Sequence, residues 1–179
     1  SAVIGLFLDD WLDAHLYNYF VVAVTLVLYG AAFLLVEQKN KALKPKVGSV
    51  YALDMRTALF IGCFQCLALI PGTSRSGATI LGAIFLGVSR SAASEFSFFL
   101  AIPTMLGASA LKILKFMLEG AKISGLEIGI LLVGCVVAFL VSLLAIKALM
   151  DYVRKHSFAP FGIYRIVLGV AVLLYFLLK

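Results

Sequence analysis

Charge is scarce in this chain of 179 residues: charged side chains make up 13% and hydrophobic ones 63%, with a mean hydropathy of +1.10. A soluble domain carries about a quarter charged residues. So few charges cannot cover a water-facing surface of this size, which excludes an ordinary soluble enzyme and makes a bilayer the natural solvent. Cysteine is also sparse, with only Cys63, Cys66 and Cys135. Cys63 and Cys66 form a C-x-x-C, but in an apolar helical run rather than a βαβ setting, so they read as small buried hydrophobes and not as a redox pair. Acidic residues number 9 against 15 basic ones, for a net charge of +6 and a pI of about 9.3. The basic residues fall between apolar runs, as membrane-flanking anchors do, and no nucleic-acid partner is expected. No basic stretch with a small-residue cleavage site precedes the first apolar segment, so no signal peptide is expected. The chain starts at Ser1, and Ala2–Leu8 is apolar but short. It reads as the tail of a helix whose beginning is missing, since a span needs about 20 residues. A fragment is therefore expected.

What is present is a series of long apolar runs. Tyr17–Val36 is uncharged and has the length of one span; Phe96–Leu118, Ile128–Ile146 and Pro160–Leu178 are three more. Two basic loops separate them, Glu37–Lys46 with four lysines and a proline, and Lys147–His156. The composition predicts an all-α, polytopic integral membrane protein forming a single transmembrane domain over residues 1–179.

Loop charges give the orientation. Lys39, Lys41, Lys44, Lys46 and Arg56 mark one side, and Lys147, Arg154 and Lys155 mark the same side if the spans Phe96–Leu118 and Ile128–Ile146 lie between them. The positive-inside rule makes both loops cytoplasmic. Asp9, Asp10, Asp13 and the Gly120–Gly125 turn then fall outside. This closes only if residues 55–89 enter and leave on the cytoplasmic side, as a re-entrant pair of half-helices broken at Pro71 and Gly72. Broken helices at membrane depth are tolerated where protein or a wet cavity satisfies their backbone, and they build binding sites.

The chemistry concentrates in Pro71-Gly72-Thr73-Ser74-Arg75-Ser76-Gly77-Ala78-Thr79. Arg75 is the only charge between Arg56 and Arg90. A charge near the bilayer centre is costly and reads as functional. Its guanidinium fork suits phosphate oxygens. Ser74, Ser76 and Thr79 add hydroxyls, and Gly72 and Gly77 let backbone approach a ligand. A half-helix beginning near Ser76 would point free N–H groups at the turn. Together these make an oxyanion or phosphate cradle. It is not a Walker A loop, whose lysine is absent. The rival reading has Arg75 snorkelling or pairing with a carbonyl while the glycines serve helix packing.

The stretch Cys63–Ile80 resembles the second signature of the undecaprenyl-diphosphate phosphatases, the bacitracin-resistance protein family, whose core is P-G-x-S-R-S-G-x-T. Gly87-Val88-Ser89-Arg90, Ala93-Ser94-Glu95-Phe96-Ser97-Phe98 and Pro160-Phe161-x-x-Tyr164-Arg165 resemble further family segments. The resemblance implies that Arg75 grips a diphosphate while Ser74 and Thr79 donate hydrogen bonds, with Ser76, Gly77 and Gly72 lining the substrate site. It implies hydrolysis of undecaprenyl diphosphate to the monophosphate and inorganic phosphate in the bacterial inner membrane, by a multi-pass protein with a homo-oligomer as a candidate assembly. It also implies assistance by a divalent cation (Mg or Ca) whose ligands lie outside this chain. The family fold carries two re-entrant hairpins in inverted repeat, and this chain retains one.

One departure matters. The family's first signature has two glutamates four apart, then P-x-S-S-x-G-H, and supplies the proposed serine nucleophile, histidine and carboxylates. Nothing here matches it: Glu37, Glu95, Glu119 and Glu127 include no pair four apart, and neither His15 nor His156 has that context. Phosphoryl transfer needs both a charge clamp and an activated nucleophile. The clamp alone is here, so this chain is expected to lack activity by itself. A transporter or flippase of a phosphorylated lipid or anion, and a subunit that only binds lipid phosphate, are the alternatives that fit a broken helix pair with a buried arginine.

Other candidates weigh less. Glu95 reads as a carboxylate in the first turn of a span, favoured by the helix dipole, or as a residue near the site. Arg165 and Tyr164 read as interfacial anchors, Arg165 snorkelling to the cytoplasmic surface. Asp9, Asp10, Asp13 and His15 read as an acidic outer loop before a metal site.

Overall fold

The computed structural model describes residues 12, 15–42, 45–119 and 124–178, with side chains at 39–42 excepted. Among the described residues six longer α-helices follow one another: α1 Tyr19–Ala42, α2 Met55–Phe64, α3 Arg75–Phe85, α4 Arg90–Leu118, α5 Gly125–Lys155 and α6 Ala159–Leu177. Among the described residues four segments are long and apolar enough to cross a membrane: Tyr19–Gln38, α4, α5 and α6. The chain is thus an all-α polytopic membrane protein. Asp9, Asp10 and Asp13 lie outside the described residues.

Three helices run longer than the apolar runs that predict them. α1 continues six residues past Val36, through Ala42, so the first half of the predicted basic loop Glu37–Lys46 is helix. α4 starts six residues before Phe96, because Ser89 caps it: its Oγ accepts the Ala92 N–H at 3.3 Å. α5 continues through Lys147–Lys155. What the charge pattern marks as a second basic loop is therefore helix, and only His156–Phe158 connects it to α6. Lysine and arginine are good helix formers, and cations suit a helix C-terminus. At its other end α5 has a capping box between Ser124 and Glu127.

Helices α1 and α6 pack antiparallel along a seam of small residues. A Cβ on Gly30 would lie 2.7 Å from the Gly162 carbonyl oxygen, and one on Gly169 would lie 2.8 Å from that of Ala23. Small residues let helix backbones approach where apolar side chains gain nothing over lipid. Rings close both ends, Tyr19 stacked on Phe176 with centroids 4.1 Å apart and Phe33 tilted on Phe158 at 5.8 Å.

Between these helices and α4 stands the short pair α2–α3. Its base is one compact knot. Lys46 N–H donates to the Gly87 carbonyl at 2.8 Å and Ser89 N–H to the Val47 carbonyl at 2.8 Å, with Val47 and Val88 in a parallel bridge. The hairpin therefore begins and ends at the same end of the molecule, beside the C-terminus of α1. Glu37, 3% exposed, sits there 3.0 Å from Arg90 Nη2 and accepts the Phe158 N–H at 3.4 Å. Glu37 Oε1 has no aligned hydrogen bond, so its contact with Arg90 is chiefly electrostatic. Arg90 also donates to the His156 carbonyl at 3.4 Å. The predicted common side for both basic segments is thus a contact in the fold. The buried apolar core, including Phe33, Ile61, Leu81, Ile84, Val88 and Val153, gathers at this end. Most of α5 and the second half of α4 expose apolar faces.

A candidate anion-binding turn

The tip of the hairpin is built by local rules. After α2 the chain tightens into a 3-10 segment, Gln65–Leu69, and then reverses through Ile70–Thr73. Thr73 N–H donates to the Ile70 carbonyl at 3.1 Å, with Pro71 and Gly72 central and Gly72 at φ +84°. Proline first and a positive φ second is the arrangement of a type II turn. Any side chain on Gly72 would also strike α1, its Cβ lying 2.6 Å from the Val22 carbonyl oxygen.

Two long-range bonds hold the tip. Thr25 Oγ1 of α1 donates to the Pro71 carbonyl at 2.7 Å. Arg165 Nη2 of α6 donates to the Gly72 carbonyl at 2.7 Å. Arg165 lies between the Gly162 and Gly169 contacts, level with the middle of α1, and the tip packs there too. The reading of Arg165 as an interfacial snorkel is therefore corrected: it is half-buried at mid-helix and bonded to the turn. Its surface-anchor reading came from its closeness in sequence to the start of α6; its partner lies 93 residues away, which periodicity cannot reveal. Tyr164 next to it is 65% exposed.

Ser74 caps α3, its Oγ accepting the Gly77 N–H at 3.2 Å and lying 3.2 Å from Ser76 Oγ. The helix thus opens one residue earlier than the sequence suggests, with Arg75 as its first residue. Arg75 is half-buried, Ser76 exposed and Gly77 buried. The Arg75 guanidinium forms no hydrogen bond or ion pair with any described residue; the ion pair among the described residues is Arg90–Glu37. The backbone N–H groups of Arg75 and Ser76 also lack acceptors there. A cation, a hydroxyl and two free amides at a helix start suit an anion. Ser74, Ser76, Gly77, Tyr164 and Arg165 line a cleft of about 230 Å³ that continues between aromatic rings toward Phe158.

Thr79 is placed differently from its signature neighbours. It is 2% exposed. Its hydroxyl lies 3.1 and 3.0 Å from the carbonyls of Arg75 and Ser76 and 2.7 Å from Ser97 Oγ of α4. It braces the first turn of α3 from behind, where Arg75 and Ser76 sit.

Glu95 lies beyond the first turn of α4, since that helix begins at Arg90. It lines another cleft, of about 320 Å³, with Phe98, Met150 and Arg154, and does not meet the hairpin tip. Cys63, expected to be buried, is exposed, and neither it nor half-buried Cys66 forms a disulfide. A divalent cation does not fit the turn as this chain builds it: the groups there are guanidinium, hydroxyl and N–H donors. Among the described residues no three His, Cys, Asp or Glu side chains come together.

The fold and the turn define a polytopic helical membrane protein with an arginine–hydroxyl anion cradle at the tip of a short helical hairpin. The family model described as "Bacitracin resistance protein BacA" matches residues 1–171, and the chain belongs to that family. Among curated relatives, the undecaprenyl-diphosphatase of Lactiplantibacillus plantarum is 56% identical over 99% of this chain and 65% of its own length. Those of Streptococcus thermophilus and Streptococcus mutans are 55% and 56% identical, over 98% and 100% of this chain and 61% and 64% of their own lengths. The chain thus spans under two thirds of the relatives it matches.

Proposed function

We propose that the protein carrying this chain hydrolyses undecaprenyl diphosphate to undecaprenyl phosphate and inorganic phosphate in the bacterial inner membrane, and that this chain supplies the diphosphate clamp. The observation that carries the reading is Arg75, a guanidinium without a partner among the described residues, at the start of α3 beside two free N–H groups. The names of the relatives favour hydrolysis over transport.

In this reading Arg75 takes non-bridging oxygens of the diphosphate bidentately, and its charge offsets the negative charge that builds on the transferred group and the leaving oxygen. The hydroxyls of Ser74 and Ser76 donate to the same group, although Ser74 also accepts the Gly77 N–H. Gly77 lines the approach, while Gly72 serves the turn and its close packing on α1. Thr79 acts through the helix start it braces. Water replaces the bridging oxygen at the terminal phosphorus, and the lipid leaves with its own phosphate. The nucleophile or base that activates the attack comes from the family's first signature, outside this chain. A divalent cation, by family resemblance, would supply further charge neutralisation from ligands also outside it.

Binding tests this directly. Purified in detergent, the chain should bind undecaprenyl diphosphate in preference to undecaprenyl phosphate. Arg75→Ala should weaken diphosphate binding roughly tenfold to a hundredfold, the cost of losing charge-assisted bonds. Equal affinity of the variant and the parent chain would remove Arg75 from the clamp.

A further inference from the structure

We propose that Arg165 is a positioning residue: from α6 it locks the Gly72 carbonyl and thereby sets the direction in which Arg75 and the open end of α3 are presented. The inference rests on the function proposed above and concerns the same turn. Arg165 Nη2 donates to the Gly72 carbonyl at 2.7 Å, three residues before Arg75. Rotation of the Gly72 peptide would swing Thr73 and Ser74 and so re-aim the cap and first turn of α3. Thr25 Oγ1 holds the preceding carbonyl from α1. The two anchoring helices are themselves pinned backbone to backbone at Gly30–Gly162 and Ala23–Gly169. The turn is thus set against a rigid pair.

Charge and burial separate this role from that of a ligand. Arg165 Nε is enclosed without a hydrogen-bond partner and Nη2 is committed to Gly72, so two of its three guanidinium nitrogens are enclosed or engaged by the turn, although the residue also lines the cleft beside Ser74 and Ser76. Its Cζ lies 5.9 Å from the centre of the Tyr29 ring, and the Thr73 hydroxyl is enclosed beside Tyr29 without a well-aligned bond. No carboxylate among the described residues pairs with it. A guanidinium at mid-span is expensive, and a neutral amide could satisfy one carbonyl. A permanent cation also leaves the turn with two arginines and, among the described residues, no carboxylate paired with either, so a bound anion relieves the turn in proportion to how well it is placed.

The test uses the longer protein that carries this chain together with the family's first signature, comparing Arg165→Met, Arg165→Lys and Thr25→Val with the parent. Arg165→Met should lower kcat roughly tenfold to a hundredfold, the scale of a small misplacement of a catalytic group. KM for undecaprenyl diphosphate should stay within about threefold, since uniform binding is not what is lost. Arg165→Lys, which keeps a donor and the charge, should recover part of kcat, and Thr25→Val should show the same kcat-weighted loss if Arg165→Met does not fold. Amide hydrogen exchange at Thr73 and Gly77, whose N–H groups are bonded within the turn and cap, should quicken in Arg165→Met, reporting the loosened turn. Parent kcat in Arg165→Met, a loss carried wholly by KM, or unchanged exchange at Thr73 and Gly77 would overturn the proposal. If the parent protein releases no phosphate, the functional reading fails, and hydrogen exchange alone decides whether Arg165 sets the turn.

Discussion

Thr79 Oγ1 and Ser97 Oγ lie 2.7 Å apart in a buried contact that joins α3 to α4. The Thr79 hydroxyl also meets two carbonyls of its own helix. Thr79→Val keeps the shape but strands the Ser97 hydroxyl. It should lower thermal stability in detergent by about 0.6–2 kcal/mol, the range for polar contacts between membrane helices. Thr79→Ser should hold most of that stability. A Thr79→Val protein as stable as the parent but unable to bind diphosphate would instead make Thr79 a direct ligand.

Arg90 and Glu37 make a second separable prediction. Arg90→Met leaves the Glu37 carboxylate buried without its cation, which should cost about 3–5 kcal/mol. Joining it with Glu37→Met should restore part of the loss, because the stranded charge is gone. Denaturation of the two single variants and the double variant in one detergent measures the coupling. Strictly additive losses would show that the pair does not tie the hairpin base to α1.

The glycine seam predicts a contrast between helices. Gly162→Ala would place a Cβ 2.9 Å from the Gly30 carbonyl oxygen, and should cost about 1–3 kcal/mol by forcing α1 and α6 apart. Gly134→Ala on α5 meets nothing within 4 Å. Relative to the parent it should be neutral or more stable by up to about 1 kcal/mol, since alanine favours helix. Melting curves for the two variants, run together, test whether α1–α6 is a close-packed pair.

The sequence made some of this legible and hid the rest for physical reasons. The four long helices follow from apolar run length, and the hairpin from charge bookkeeping closed by Pro71 and Gly72. Helix ends were harder. Apolar periodicity stops at Ile146, but nothing in Lys147–Lys155 breaks a helix, so α5 carries on. Ser89, which caps α4, lies outside the apolar run that marks that helix. Arg75, Ser74 and Ser76 were found because a charge inside an apolar run stands out. Arg165 stands in an apolar run too, yet its role depends on a carbonyl 93 residues away. Thr79 belongs to the signature, but only the packing of α3 on α4 shows that its hydroxyl is turned to Ser97. The α1–α6 seam had a trace, Gly162 and Gly169 seven residues apart on one face, and became evident only with Gly30 and Ala23 opposite.

The central claim is that Arg75 clamps a lipid diphosphate whose hydrolysis is completed by residues outside this chain. Phosphate release from undecaprenyl diphosphate in detergent tests it, measured for this chain and for a protein extended upstream with the family's first signature, each with and without Arg75→Ala. The account predicts release from the extended protein alone, reduced at least about a hundredfold by Arg75→Ala, as for loss of a transition-state charge contact. Undiminished release from the Arg75→Ala variant, or Arg75-dependent release from this chain by itself, would contradict it.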